Sequence, residues 1–154
     1  MRCTIAFTGD IMCQIPQNKA CQTPDGYDYR PVFAQVRQRL MECDYLVGNL
    51  ETPLAGESMQ YSQALYSFNT PSSFAQALKD TGFDLVSTAN NHCVDRKLEG
   101  LYRTLECLDE TGLDHIGTYA SPAARSAPFI ADIQGIRVGF IAYTYGTNAF
   151  AHRY

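Results

Sequence analysis

The chain has 154 residues, 45% hydrophobic and 18% charged, with a formal net charge of −4. That length and mixture suit one globular domain, 1–154, with a sizeable core, and exclude a disordered segment. The acidic balance and the lack of a basic run argue against nucleic acid as a partner, and no apolar stretch approaches the ~20 residues that cross a bilayer.

The N-terminus passes directly into a strand pattern, Cys3-Thr-Ile-Ala-Phe7, with no secretory leader. Either the chain as given stays in the cytoplasm or an exporting segment lies outside it. Residues 2 to 7 alternate and are rich in β-formers, which predicts the first strand. It exits at Thr8-Gly9-Asp10-Ile-Met12, where Gly9 permits a tight turn and Asp10 stands at the carboxyl end. Residues 13–30 are polar and turn-rich, with Pro16, Pro24 and Gly26, and predict a loop. A helix is expected next, with Pro31 in its first position and Val32, Phe33, Val36 and Leu40 on its buried face.

The second strand, Asp44 to Gly48, runs out into Asn49-Leu-Glu51-Thr-Pro53. The first exit is repeated: apolar run, glycine, carboxylate. Residues 54–69 form a second expected loop, whose Tyr61, Tyr66 and Phe68 either pack beneath it or line a pocket. Thr70-Pro71 has the form of a helix cap and first position, leading to Phe74, Ala77 and Leu78, with Gly82 closing the helix.

The third strand, Phe83 to Ser87, delivers Ser87-Thr-Ala-Asn-Asn-His-Cys-Val-Asp95. Val94, Leu98, Leu101, Leu105 and Leu108 then recur at the spacing of one helical face until Gly112. Asn90, Asn91 and His92 thus sit on a strand-to-helix turn. Asparagine and histidine are ordinary turn residues; the two upstream strand ends that finish in a carboxylate set this turn apart. Asp114 to Thr118 predicts a fourth strand. This order argues for an α/β domain with a mainly parallel sheet covered by helices. Residues 128–133 and 136–143, joined by Gln134-Gly135, predict a hairpin, after which Thr144 to Asn148 return to the same edge of the sheet.

Six cysteines are scattered without a C-x-x-C pair, as free thiols in a reducing compartment would be. Cys93, near the central turn, is read as a packing residue because no neighbouring base would activate it.

Three strand ends therefore carry Asp10, Glu51 and Asn91-His92. Ligand sites of parallel α/β sheets form outside the carboxyl ends of strands. Two carboxylates and an amide oxygen are hard donors for a divalent metal ion; Mn, Mg, Zn and Fe are not distinguished by them. A carboxylate between two ions can bridge them at a spacing of about 3.5–4 Å, which clamps a phosphoryl group. His92 is placed to donate a proton to a leaving oxygen, with Asp95 as the partner that orients its ring.

Gly9-Asp10-Ile-Met12, Gly48-Asn-Leu-Glu51 and Ala89-Asn-Asn-His92 followed by Asp95 resemble the signature of the CapA-type capsule-synthesis, or poly-γ-glutamate biosynthesis, proteins. These belong to the calcineurin-like metallophosphoesterase superfamily. The likeness extends to Gly82-Phe-Asp-Leu-Val, the leucine-rich helix, His115-Ile-Gly117 and the Gly135-to-Tyr143 arm. It implies a metallophosphoesterase-like layered sheet with flanking helices, of which this chain carries the N-terminal half. It assigns Asp10 to a first metal, Glu51 to the bridging position, Asn91 to a second metal, and His92 to the general acid, backed by Asp95. Two departures stand out. Met12 occupies the second position of the superfamily's Asp-x-His, and no Gly-x-His-Pro-His motif is present; the other histidines are His115 and His152.

The resemblance implies a phosphoester or an anionic polymer as substrate, and work at the cell envelope. An enzyme, a non-catalytic polymer-binding component and an inactive truncated domain all remain open at this point. With three oxygen donors for two ions, the chain by itself is expected to be a weak metallophosphatase, and an unpaired outer edge of the 128–143 hairpin invites self-association.

Overall fold

A computed structural model describes residues 2–64 and 66–148. His152 lies outside the described residues. In chain order the elements are β1 (Ile5–Ile11), α1 (Ile15–Ala20), β2 (Gln22–Thr23), β3 (Gly26–Tyr27), α2 (Arg30–Phe33), α3 (Arg37–Leu40) and β4 (Tyr45–Leu50). A 3-10 turn at Glu57–Met59 precedes α4 (Ser73–Thr81), β5 (Leu85–Ser87), α5 (Lys97–Thr111), β6 (Asp114–Ile116), α6 (Pro122–Ser126), β7 (Phe129–Ile133) and β8 (Ile136–Phe140). None of the described helices is long and apolar enough to cross a membrane.

The central sheet has the order β1-β4-β5-β6, and every neighbouring pair is parallel. This is the layered, helix-covered α/β sheet expected from the order of elements. Side chains alternate across it with the period of two that a strand imposes. Leu46, Leu50 and Val86 enter one core with Phe74 and Leu78 of α4 and Leu108 of α5. Val47, Leu85 and Ile116 point the other way, where Tyr45, Phe129 and Phe140 pack on them. The second face is covered by the separate antiparallel pair β7-β8. Gln134 and Gly135 both have positive φ, 54° and 80°, the backbone of a tight hairpin turn.

The first strand does not stop at Phe7. It continues to Ile11 through an irregularity between Phe7 and Asp10, so Phe7 pairs with Val47 but Asp10 with Asn49. One extra residue resets the alternation. Ile11 then enters the helix-side core, and Asp10 emerges beside Asn49. Gly48, in the middle of β4, is held to a hydrogen side chain by close approach: a Cβ there would collide with Ile11 Cδ1 and lie 2.9 Å from Phe83 Cε1.

Three expectations are corrected. Residues 13–30 are not a bare loop but hold α1 and the β2-β3 hairpin. The helix expected from Pro31 is broken into α2 and α3, and Val32 and Val36 are 49% and 47% exposed. Phe33 and Leu40 form the inward stripe instead, because Phe33 meets Phe74 and Phe83 at ring distances of 6.1 and 6.3 Å. Finally, α4 starts at Ser73, with Ser72 and not Thr70 at the N-cap position and no side-chain capping hydrogen bond. Thr70 is already committed: its hydroxyl lies 2.9 Å from that of Thr52, and its N–H donates to Pro53 O at 2.9 Å. Gly82, in the left-handed conformation, closes α4 as expected.

Helix α5 buries Leu105 and Leu108, while Leu98 is 52% exposed. The segment before α4 is held by Asn69, which is fully buried. Its Oδ1 accepts from Ala55 N, and its Nδ2 donates to Gly56 O and Gln60 O. Buried polar groups persist where every donor and acceptor is matched. Here the matching ties the two ends of the loop together, Ala55 and Gly56 to Asn69.

Candidate functional site

The bulge in β1 places Asp10 at the exposed carboxyl edge of the sheet, next to the end of β4. Asn49 Nδ2 donates to Asp10 Oδ1 at 2.8 Å. Asn90 Nδ2 in turn donates to Asn49 Oδ1 at 3.1 Å and to Leu50 O at 2.9 Å. Asn90 Oδ1 accepts the His92 N–H at 3.1 Å. A chain of amides thus links the first strand end to the second and the second to the third. Asn90 spends both ends of its side chain on this link.

Glu51 follows β4 and is 9% exposed. Its Oε2 is buried with no hydrogen-bond partner among the described residues. Burial, and then the hydrogen bond with Asp10 and its charge, push the Glu51 carboxyl up; Asn49, and then Glu51, hold the Asp10 carboxyl down. Two carboxyl groups therefore meet at this edge, with Asp10 the one that holds charge more readily.

His92 and Asp95 lie on the turn between β5 and α5. His92 Nδ1 is 2.7 Å from Asp95 Oδ2, and both side chains are almost fully buried. Asp95 Oδ2 also accepts the Phe68 N–H at 2.8 Å, and the Phe68 ring sits edge-on to the imidazole at 4.4 Å. A carboxylate has only lone pairs to offer, so Nδ1 carries the ring proton and Nε2 is left as the acceptor. Arg96 locks the arrangement by donating to Met59 O, Gln60 O and Ser67 Oγ. The 54–69 loop and the histidine turn are thus one hydrogen-bonded unit.

Asn91 is half-buried on the same turn, and its carbonyl accepts the Asn148 N–H at 2.8 Å. The amide woven into the network is that of Asn90. Met12 is half-buried. Burial pushes the Cys93 thiol up, opposite to what an activated thiolate needs. His115 pairs with Asp109 at 3.1 Å, on the far flank of α5. All six cysteines are free.

The fit to a cation rests on Glu51. A buried carboxylate oxygen without a donor is costly unless a proton or a cation meets it, and the second carboxylate beside it supplies a matching hard donor. Among the described residues, however, no group of three or more His, Cys, Asp or Glu side chains is gathered to hold a metal. The donor set fits one hard cation better than two.

Four contributors escaped the sequence. Asn49 and Asn90 were in view but without roles, because which amide reaches which carboxylate depends on register. Phe68 was seen only as an aromatic in a loop. Asn148 was placed at the right edge with no target.

A parallel sheet covered by helices on one face and by a hairpin on the other, with polar side chains gathered beyond its strand ends, makes this a layered α/β protein of the metallophosphoesterase-like class. The chain belongs to the family described as bacterial capsule synthesis protein PGA_cap, whose model matches residues 4–153. It is 28% identical over 144 residues to capsule biosynthesis protein CapA of Bacillus anthracis, covering 92% of this chain and 34% of that protein. It is likewise 28% identical over 142 residues to PGA biosynthesis protein CapA of Bacillus subtilis (strain 168), covering 90% and 36%. An uncharacterized protein, y4sH, of Sinorhizobium fredii is 30% identical over 121 residues, covering 74% and 26%. The chain spans about a third of the length of the two CapA relatives.

Proposed function

We propose that the chain serves capsule or poly-γ-glutamate synthesis through a metal-dependent phosphoesterase-like site at the carboxyl edge of its sheet. The observation that carries this reading is the unpartnered buried Oε2 of Glu51 beside Asp10. Asp10, Glu51 and the Asn91 amide would hold a divalent ion, which when bound would polarise a phosphoryl oxygen. The chain's own residues do the rest. The Asn49–Asn90 amides fix the carboxylate geometry. Asp95 and the Phe68 ring hold His92 in place as the general acid that would protonate a leaving oxygen. The substrate class is a phosphoester or an anionic polymer.

The test combines calorimetry with turnover. Mn²⁺, Mg²⁺, Zn²⁺ and Fe²⁺ are titrated into the wild type, Asp10→Asn and His92→Ala, and each is assayed on an aryl phosphate. Weak binding that Asp10→Asn abolishes is expected. His92→Ala should lower turnover ~10²–10⁴-fold with ion binding unchanged. Turnover that survives Asp10→Asn, or ion binding indifferent to it, would sink the metal site. Ion binding without any turnover would move the chain to the polymer-binding reading.

A further inference from the structure

We propose that Asn148 is a positioning residue of this site, its side-chain amide holding the His92 ring through Nε2. Two independent contacts place it there. Its backbone N–H donates to Asn91 O at 2.8 Å, and its Nδ2 lies 3.4 Å from His92 Nε2. The other ring nitrogen is engaged by Asp95 at 2.7 Å. Since Nδ1–H donates to Asp95, Nε2 of the neutral ring can only accept, and an asparagine offers a donor only through its NH₂. The contact therefore fixes both the orientation of the Asn148 amide and the tilt of the ring.

The residue arrives from the opposite side of the domain. It ends the run that leaves β8, in which Ala142 packs on the hairpin-side core and Thr144 Oγ1 donates to Gly146 O at 3.0 Å. Docking of the hairpin thus delivers the amide. The Nδ2–Nε2 distance is at the long end for such a bond, so the amide is displaced at small cost. In this view Asn148 holds the ring in place until the substrate arrives. Its use in turnover rests on the phosphoesterase reading; the contact itself does not.

The experiment reads the ring directly. The full 154-residue chain, ¹⁵N-labelled in the histidine ring and treated with a chelator, is observed above the ordinary imidazole titration range. In the wild type, His92 should show a protonated Nδ1 and an acceptor Nε2. Asn148→Ala keeps the backbone bond to Asn91 and removes only the amide. It should move the Nε2 resonance downfield, toward a ring nitrogen without a donor, with Nδ1 and the thermal melt unchanged. Asn148→Asp, which replaces the donor by an acceptor, should give Nε2 a proton. An Nε2 resonance that neither variant alters overturns the proposal. Aryl phosphate turnover is then compared, and Asn148→Ala should lower kcat about 10–100-fold with KM little changed. A wild type without turnover defeats the phosphoesterase reading and leaves the ring contact to be judged by the resonance alone.

Discussion

The two faces of the central sheet are built differently. On one, fifteen buried residues of the strands, α4, α5 and the segment around Tyr29 form a continuous core. On the other, the buried cluster is the smaller set Val47, Leu85 and Ile116, and among the residues packed on it Phe129 and Phe140 are themselves half-exposed. Phe7, on that second face, is 69% exposed. The difference teaches where the fold's stability and its chemistry come from. The helix-side core holds the strand ends in register, and the site is assembled on that frame. The hairpin side adds a lighter cover, from which Asn148 reaches the histidine.

The same truncation on each face gives the largest test of this contrast. Phe74 is 1% exposed and meets Tyr29 edge-on at 5.0 Å. Phe74→Ala should cost about 3–5 kcal/mol in denaturant unfolding. Phe140 packs on Tyr45 at 5.4 Å and on Phe129 at 6.2 Å but stays half-exposed. Phe140→Ala should cost only about 1–2 kcal/mol, since less apolar area leaves water there. Equal losses would mean that the hairpin is as much a part of the core as α4, and the contrast would fall.

The smallest effect belongs to the site. Glu51 is raised by burial and then by Asp10, so the folded chain holds its proton to a higher pH than the unfolded chain does. Between the ordinary carboxylate value and the folded value, the folded state binds more protons. Stability therefore falls as pH rises through that window, and the deficit persists above it. In metal-free protein, Glu51→Gln should raise Tm by a few degrees at most near neutral pH. The gain should vanish below the ordinary carboxylate range. A lower Tm at neutral pH would show that the Glu51 charge is already compensated and would remove the best evidence for a cation there.

The sequence by itself determined the order of the four parallel strands and of the helices α4 and α5 between them, the hairpin with its Gln134-Gly135 turn, and the family signature at three strand ends. Those features are written locally, in alternation, helical spacing and turn residues, and chain order alone then brings the strand ends to one edge. It also marked His92 and Asp95, which lie one helical turn apart and meet through local geometry. Only the tertiary structure decided the rest. The bulge that turns Asp10 toward Asn49 is a matter of register between strands, which no single strand encodes. Phe33 rather than Val32 faces inward because Phe74 and Phe83 wait for it. Thr70 serves Thr52 and Pro53 instead of capping α4. Phe68, Asn90 and Asn148 gain their places at the site from partners far along the chain, Asp95 at 27 positions, Asn49 at 41 and His92 at 56. Such long-range pairings depend on how packed elements meet, and that is settled only when the core closes.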